Sequence, residues 1–406
     1  MGRRAMARWW VRVSEAHQRR TWQRRHPGRA VDVVVSHAEV NELHGTGVLL
    51  RRLFGDAPDL ASIRSRDDYD ARQRFGAWSA RVVQPGPDPA AALRRVRAVL
   101  GQGPVRRVLA VPYHADDART ALALLDAGGG PLCTWVMDDR NVQAQGIPDE
   151  LFGELLRRSA LRLAISQELC DALQGKYGLP FAFVPPVVDP DLVRCAPAAA
   201  TSAGAKARRA AMIGNVWGRR WLGRLLDVLE GSGVELDWYA SAAPRWHAAG
   251  EPELQRAGVH RRVGLPDAAL AAALRRAAFA VLPTGTLDAD DDGAAIARLS
   301  LPSKLVYTTA VAHLPVLVVG HPGTAAARFV ARAGIGLTVP YERRAFRAAA
   351  AELVRPEVQA TLRARAAELA PAFSADGARA WIWRSLEAGG PIDDRWERLR
   401  EERRAG

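Results

Sequence analysis

Residues 31–54, VDVVVSHAEVNELHGTGVLLRRLF, contain the repeating unit of the whole chain. Val31–Ser36 is a short apolar run of the kind that forms a buried strand. HGTG, residues 44–47, is a glycine turn, and Gly47–Phe54 then carries apolar residues at helical spacing. The alternation continues. Strands are expected at Arg107–Pro112, Leu132–Met137, Leu161–Ile165 and Phe181–Val184, with helices at Pro89–Leu100, Ala115–Ala127, Asp149–Ser159 and Gln167–Tyr177. Strands alternating with helices imply βαβ crossovers and a parallel sheet covered on both faces.

A stretch rich in Pro, Ala, Ser and Gly, Asp189–Arg208, reads as a linker. A second alternating set follows, with strands expected at Ala210–Ile213, Glu235–Tyr239, Val259–Val263, Phe279–Leu282, Pro315–Val319 and Gly336–Val339. The predicted fold class is α/β, two open parallel sheets in tandem. The divisions are a basic extension at 1–29, a first domain at 30–190, a linker at 191–208, a second domain at 209–370 and a tail at 371–406. The tail holds a helix at Ala375–Leu386, expected to return to the first domain, and ends in the charged DDRWERLREERRAG. Open parallel sheets take ligands at the carboxyl ends of their strands, so two facing domains are expected to form a deep cleft.

Composition narrows the classes. The chain has 406 residues, 48% hydrophobic and 25% charged, as ordinary globular domains do. Cys133, Cys170 and Cys195 are too few for a disulfide framework and fit no metal spacing, which favours a reducing, cytoplasmic setting. No run reaches the roughly 18 apolar residues that span a bilayer, and the N-terminus has no apolar core of a signal peptide. The net charge of +13 is spread along the chain, without a basic patch interleaved with aromatics beyond the first residues, so no nucleic-acid partner is expected.

Three motifs carry chemistry. HGTG brings backbone N–H groups and a helix start together, which suits a phosphate. IGNVWGRRWLG, residues 213–223, repeats that arrangement in the second domain, with Arg219 and Arg220 ahead of a helix. LPSKL, residues 301–305, holds Lys304, one of only three lysines, with Lys176 and Lys206, among 57 Lys+Arg. Pro302 opens a helix there, and a cation in the first turn opposes the helix dipole unless an anion is shared between them. Asp288 and Asp290 in LDADDDG match an Asp-x-Asp metal motif of another fold. Here they read as a solvated acidic loop, and no metal is expected. In the first residues, Met6, Trp9, Trp10 and Val13 recur at helical spacing among arginines. That is either a helix for an anionic membrane surface, or a segment packed on the protein itself or disordered.

Taken in order, HGTG-VLLRRL, VLAVPYHADD, CTWVMDD, LAISQELCDAL with FAFVPPVVDP, MIGNVWGRR, VGLPDAALAAALRRAAFAVLPT and SLPSKL…LPVLVVG resemble a GT-B glycosyltransferase. This is the class of two Rossmann-like domains that includes bacterial envelope and polysaccharide enzymes. The resemblance runs from about residue 31 to 340. It implies a nucleotide-sugar donor on the second domain, no separate cofactor, and an acceptor on the first, of the envelope-glycan or lipid-linked class, at the inner membrane face. It implies Lys304 and Arg220 at the donor diphosphate, Gly214 and Asn215 presenting backbone to it, Thr308 in the donor site, and Gly45 and Gly47 bordering the same phosphates. His114 and Asp138 would flank sugar and acceptor as catalytic residues, with Asp139 an alternative base. The chain departs from the pattern twice. Tyr307 stands where relatives carry a ribose-binding glutamate, and Met137 where they carry a histidine. Those departures keep open a non-catalytic subunit or scaffold, and a nucleotide-sugar epimerase on the same fold is a second rival.

Overall fold

The computed structural model describes residues 3–69, 73, 75–101, 103–194, 196–199, 208–240, 250–262 and 264–400. Cys195, Lys206, Val263 and linker residues 200–207 lie outside these. The chain forms two compact units, Met1–Val184 with Gly377–Asp394, and Pro185–Asp376 with Arg395–Gly406.

The strands and helices of the first unit are α1 (Arg3–Arg25), β1 (Val31–Ser36), α2 (Gly45–Phe54), β2 (Leu60–Arg64), β3 (Trp78–Arg81), α3 (Pro89–Leu100), β4 (Val105–Val111), α4 (Ala115–Asp126), β5 (Leu132–Val136), α5 (Asp149–Arg158), β6 (Leu161–Ala164), α6 (Gln167–Tyr177) and β7 (Ala182–Phe183). Among the described residues they build a seven-stranded sheet of order β3-β2-β1-β4-β5-β6-β7, every pair parallel. The strand order reverses at β1 and β4, and β1 is buried along its whole length.

The second unit contributes β8 (Arg209–Ile213), α7 (Arg219–Leu229), β9 (Glu235–Tyr239), α8 (Glu251–Arg256), β10 (Val259–Arg262), α9 (Asp267–Leu274), β11 (Phe279–Pro283), α10 (Ala294–Leu299), α11 (Ser303–Ala312), β12 (Val316–Val319), α12 (Ala325–Ala333), β13 (Gly336–Val339), α13 (Arg343–Leu353) and α14 (Pro356–Leu369). Its described strands form a six-stranded sheet, β10-β9-β8-β11-β12-β13, again parallel throughout. The apolar runs of β8, β11 and β12 fill one core with Trp221, Trp238 and Phe346.

The tail is shared between the units. Val188 and Ala375 are tied through the backbone, with the Ala375 N–H donating to the Val188 carbonyl at 2.8 Å. The last helix, α15 (Ala378–Ala388), belongs to the first unit. There Trp383 packs on Phe54 with ring centroids 5.3 Å apart, and Arg107 lies over the same indole and bonds Glu387 at 2.8 Å. Trp396 then donates to the Ala372 carbonyl at 3.0 Å in the second unit.

Two strands, β2 and β3, were not anticipated from the sequence. Their segments hold Arg64, Ser62 and Ser79, polar residues that end up fully or almost fully buried. The reason lies far away in sequence. Arg64 donates to Glu15 of α1 at 2.7 Å and to Asp67 at 3.0 Å, while Ser79 donates to the same Glu15 oxygen at 2.7 Å. The basic N-terminal segment therefore covers the β3 edge of the sheet. Removing one partner of a buried pair leaves an uncompensated charge. Glu15→Ala is expected to destabilise the first unit by about 3 kcal/mol, slightly moderated by Asp67, read as a lower urea midpoint at unchanged slope.

Candidate functional site

Because all strands of a sheet run the same way, each sheet gathers its strand-to-helix turns on one edge. In the first unit that edge brings together His37 after β1, Tyr113 and His114 after β4, and Asp138 after β5. The Tyr113 phenol donates to Asp138 Oδ2 at 2.7 Å, and Thr46 donates to the phenol at 3.0 Å. The Tyr113 ring lies 4.2 Å from the His37 ring, and the His114 ring 6.2 Å from it. Asp117 fixes the turn itself, accepting from the backbone N–H groups of Tyr113 and His114, each at 2.9 Å.

The HGTG turn has a specific local cause. His44 Nδ1 accepts from the Gly47 N–H at 3.3 Å and its Nε2 donates to the Glu39 carbonyl at 2.6 Å, which assigns the tautomer. A Cβ on Gly47 would lie 2.4 Å from the Asn41 carbonyl oxygen. Close packing inside the first unit thus already requires glycine at 47, while Gly45 sits exposed at the start of α2.

Electrostatics keep the histidines neutral. Burial, then the neighbouring Arg66 and Arg140, lowers His114 to about 4. Burial also holds His37 well below its ordinary value, with the other two histidines adding to the effect. At neutral pH both rings are uncharged, able to accept or donate one hydrogen bond rather than act as cations. Asp139 is different. It is buried and accepts backbone N–H bonds from Asn141, Val142 and Gln143 at 3.0, 2.7 and 2.9 Å, so it anchors a loop.

In the second unit Gly214 ends β8 with φ of 70°, and no atom lies within 4 Å of where its Cβ would be. Its N–H donates to the Tyr239 carbonyl at 2.9 Å. Pro302 stands immediately ahead of α11, and Lys304 occupies the first turn. The Lys304 ammonium donates to the Asn215 carbonyl at 2.8 Å. Among the described residues no carboxylate reaches it, and burial lowers it to about 8.

Three expectations change in detail. Thr308 is buried, and its hydroxyl donates within α11 to the Lys304 and Leu305 carbonyls, both at 3.0 Å, so it does not stand at the helix mouth. Arg220 has a carboxylate, bonded to Asp290 at 2.7 Å. Arg224 bonds Asp288 at 3.0 Å, and Trp221 donates to Asp291 at 2.8 Å, so the acidic loop is fastened to α7 rather than freely solvated. The Arg220–Asp290 pair is exposed, and exchanging it for another anion costs about 1 kcal/mol or less. Tyr307 turns away from the helix mouth and donates to the Asp267 carbonyl at 3.1 Å. No group of His, Cys, Asp and Glu among the described residues is arranged to hold a metal ion.

Thr46, Tyr113 and His37 were absent from the sequence-derived site. Two left a signal there, Thr46 as the third residue of HGTG and Tyr113 as the neighbour of His114 at a strand end.

No family model matches the sequence, and no curated protein matches it. Solved structures do. Anabaena HepE with UDP and glucose matches 89% of this chain and 100% of its own at TM-score 0.62 and 13% identity. WaaG, a glycosyltransferase involved in lipopolysaccharide biosynthesis, matches 86% of this chain and 98% of its own at TM-score 0.55 and 13% identity. S. aureus MnaA with UDP matches 88% and 96% at TM-score 0.53 and 11% identity. The fold is GT-B. In this chain the fold consists of two parallel sheets, one in each unit.

Asp117 provides a pH test of the first-unit turn. Burial raises its carboxyl to about 6, above the ordinary value of 3.8. The stability linked to that proton is complete below pH about 4 and is lost as pH rises through about 6. Between pH 4 and 7, wild type is expected to lose about 2 kcal/mol more stability than Asp117→Asn, measured as the difference of their urea midpoints.

Proposed function

We propose that this protein transfers a sugar from a nucleotide-sugar donor to an acceptor, with the donor on the second unit and the acceptor on the first. One observation carries the reading. Lys304 is a partly buried ammonium in the first turn of α11, bonded to a carbonyl and to no carboxylate among the described residues. A cation at a helix start is electrostatically misplaced until an anion joins it, and burial raises the cost of leaving it uncompensated. A diphosphate held by Lys304 at the N-terminal end of α11, beside the glycine turn at Gly214, resolves both problems. The structural likeness agrees, since HepE and MnaA were crystallised with UDP and HepE also with UDP-glucose.

In this reading the leaving nucleoside diphosphate is neutralised by Lys304, with Arg220 released from Asp290, and no metal or cofactor is needed. On the first unit, Asp138 accepts the proton of the acceptor hydroxyl. Tyr113, itself bonded by Thr46, holds that carboxylate in place. His114, neutral above pH about 4, is a weak base and serves as a hydrogen-bonding partner. The acceptor is an envelope glycan or lipid-linked intermediate, reached from the cytoplasmic side of the membrane. A non-catalytic nucleotide-binding subunit is the second reading, favoured by Tyr307, which bonds Asp267 where relatives present a carboxylate to ribose.

A charge-assisted contact is worth about 1.5–3 kcal/mol, so Lys304→Ala should weaken UDP binding about 10- to 150-fold in isothermal titration. Uridine should bind both proteins alike, and equal UDP affinities would remove Lys304 from the site. Asp138→Asn and His114→Ala should depress turnover while leaving UDP affinity within about twofold. UDP binding with no sugar release from any UDP-sugar in wild type would instead select the non-catalytic reading.

A further inference from the structure

The N-terminal helix has two faces that do opposite things. Its inner face is fixed to the sheet. Glu15 is buried against Arg64 and Ser79, Arg12 bonds Asp67 at 2.9 Å, and Gln23 donates to the Leu100 carbonyl at 2.9 Å. At about 100° per residue, Met6, Trp9, Trp10 and Val13 fall within an arc of about 100°, opposite Glu15. The structure leaves all four exposed, Trp9 at 50% and Trp10 at 60%. They are half of the eight exposed large apolar residues among the described ones, gathered within two turns.

The same outer face continues as His17, Arg20 and Arg24. Neither arginine is paired with a carboxylate among the described residues. The outer face is therefore a ridge with an apolar head and a basic foot, running about 27 Å from residue 6 to residue 24 at about 1.5 Å per residue. The one acid of the helix, Glu15, lies on the other side.

We infer that this outer face docks on an anionic lipid surface, with Trp9 and Trp10 at the level of the headgroups and Arg20 and Arg24 on lipid phosphates. Charge complementarity selects the occupant. Indole rings favour the membrane interface, arginine forks match phosphate oxygens, and a straight convex ridge fits a flat surface that can be entered to a depth of about 5–10 Å. The inner-face bonds hold the helix on the sheet, so the whole first unit is carried to the surface in one orientation. This goes beyond the nucleotide reading and depends on none of its residues.

The test is flotation of the full chain with phosphatidylcholine vesicles, with and without phosphatidylglycerol. Wild type should float with the anionic vesicles only, and lose binding at high salt. Trp9→Ala with Trp10→Ala, and separately Arg20→Glu with Arg24→Glu, should each lower partitioning at least about tenfold, the loss expected from removing more than about 1.4 kcal/mol. Both variants should keep wild-type thermal unfolding and UDP titration, which separates a failed membrane surface from a failed nucleotide site. Equal flotation of variant and wild type, or equal binding to neutral and anionic vesicles, overturns the inference. So does a tryptophan-dependent dimer in light scattering without vesicles, or displacement from vesicles by a single-stranded oligonucleotide or by inorganic phosphate at concentrations that leave ionic strength unchanged.

Discussion

The side chains of the candidate site meet because the strands of each sheet run in a single direction. A parallel pair cannot be closed by a hairpin, so each strand is followed by a crossover that returns the chain to the same end of the sheet. The turns after β1, β4 and β5 are therefore neighbours although they stand far apart in sequence. Tyr113 and Asp138 can meet at 2.7 Å only because β4 and β5 lie side by side and end together. In the second unit the same constraint delivers Lys304, at the head of α11, to the backbone that leaves β8.

On that frame the charges divide into two populations. Many arginines are held by carboxylates: Arg106 and Arg107 on Asp32, Arg209 and Arg262 on Asp237, Arg220 and Arg224 on the acidic loop. Such pairs are local and, where exposed, contribute little. Lys304 stands outside this pattern. A compact ammonium with a flexible stem can be drawn under a helix mouth where a planar guanidinium would demand several acceptors at once. The first unit does the reverse, burying imidazoles beside arginines so that they stay neutral. One unit thus presents a cation with no carboxylate partner among the described residues, the other a carboxylate oriented by a neutral donor.

The edge of the first sheet is closed by long-range polar contacts rather than by apolar packing alone. Arg64 is fully buried within β2, and its carboxylate partners come from α1 and from the loop after the strand. In β2 the buried Ser62 and Arg64 interrupt Leu60, Ala61 and Ile63, so no continuous apolar run marks the strand. The arginine's burial is tolerable only because the partners arrive from elsewhere, which also explains why the N-terminal helix is bound to the fold on one side and bare on the other.

Local pattern was enough to fix the order and type of most elements. The strands β1, β9 and β13 and the helices at Pro89–Leu100 and Gln167–Tyr177 fall where the sequence placed them, because in β1 burial on both faces leaves a continuous apolar run, and helix caps are local. The place of Lys304 in the first turn of a helix was likewise legible, since Pro302 ahead of it marks the helix start. The tertiary structure decided the rest. It formed β2 and β3 around buried polar side chains, gave Arg220 to Asp290, turned the Thr308 hydroxyl into its own helix, and assembled Thr46, Tyr113 and Asp138. These outcomes depend on which residues from distant segments arrive at one point with compatible hydrogen bonds and charge. A one-dimensional pattern encodes periodicity and termini, but the partner of a buried polar group is chosen only when the sheets close.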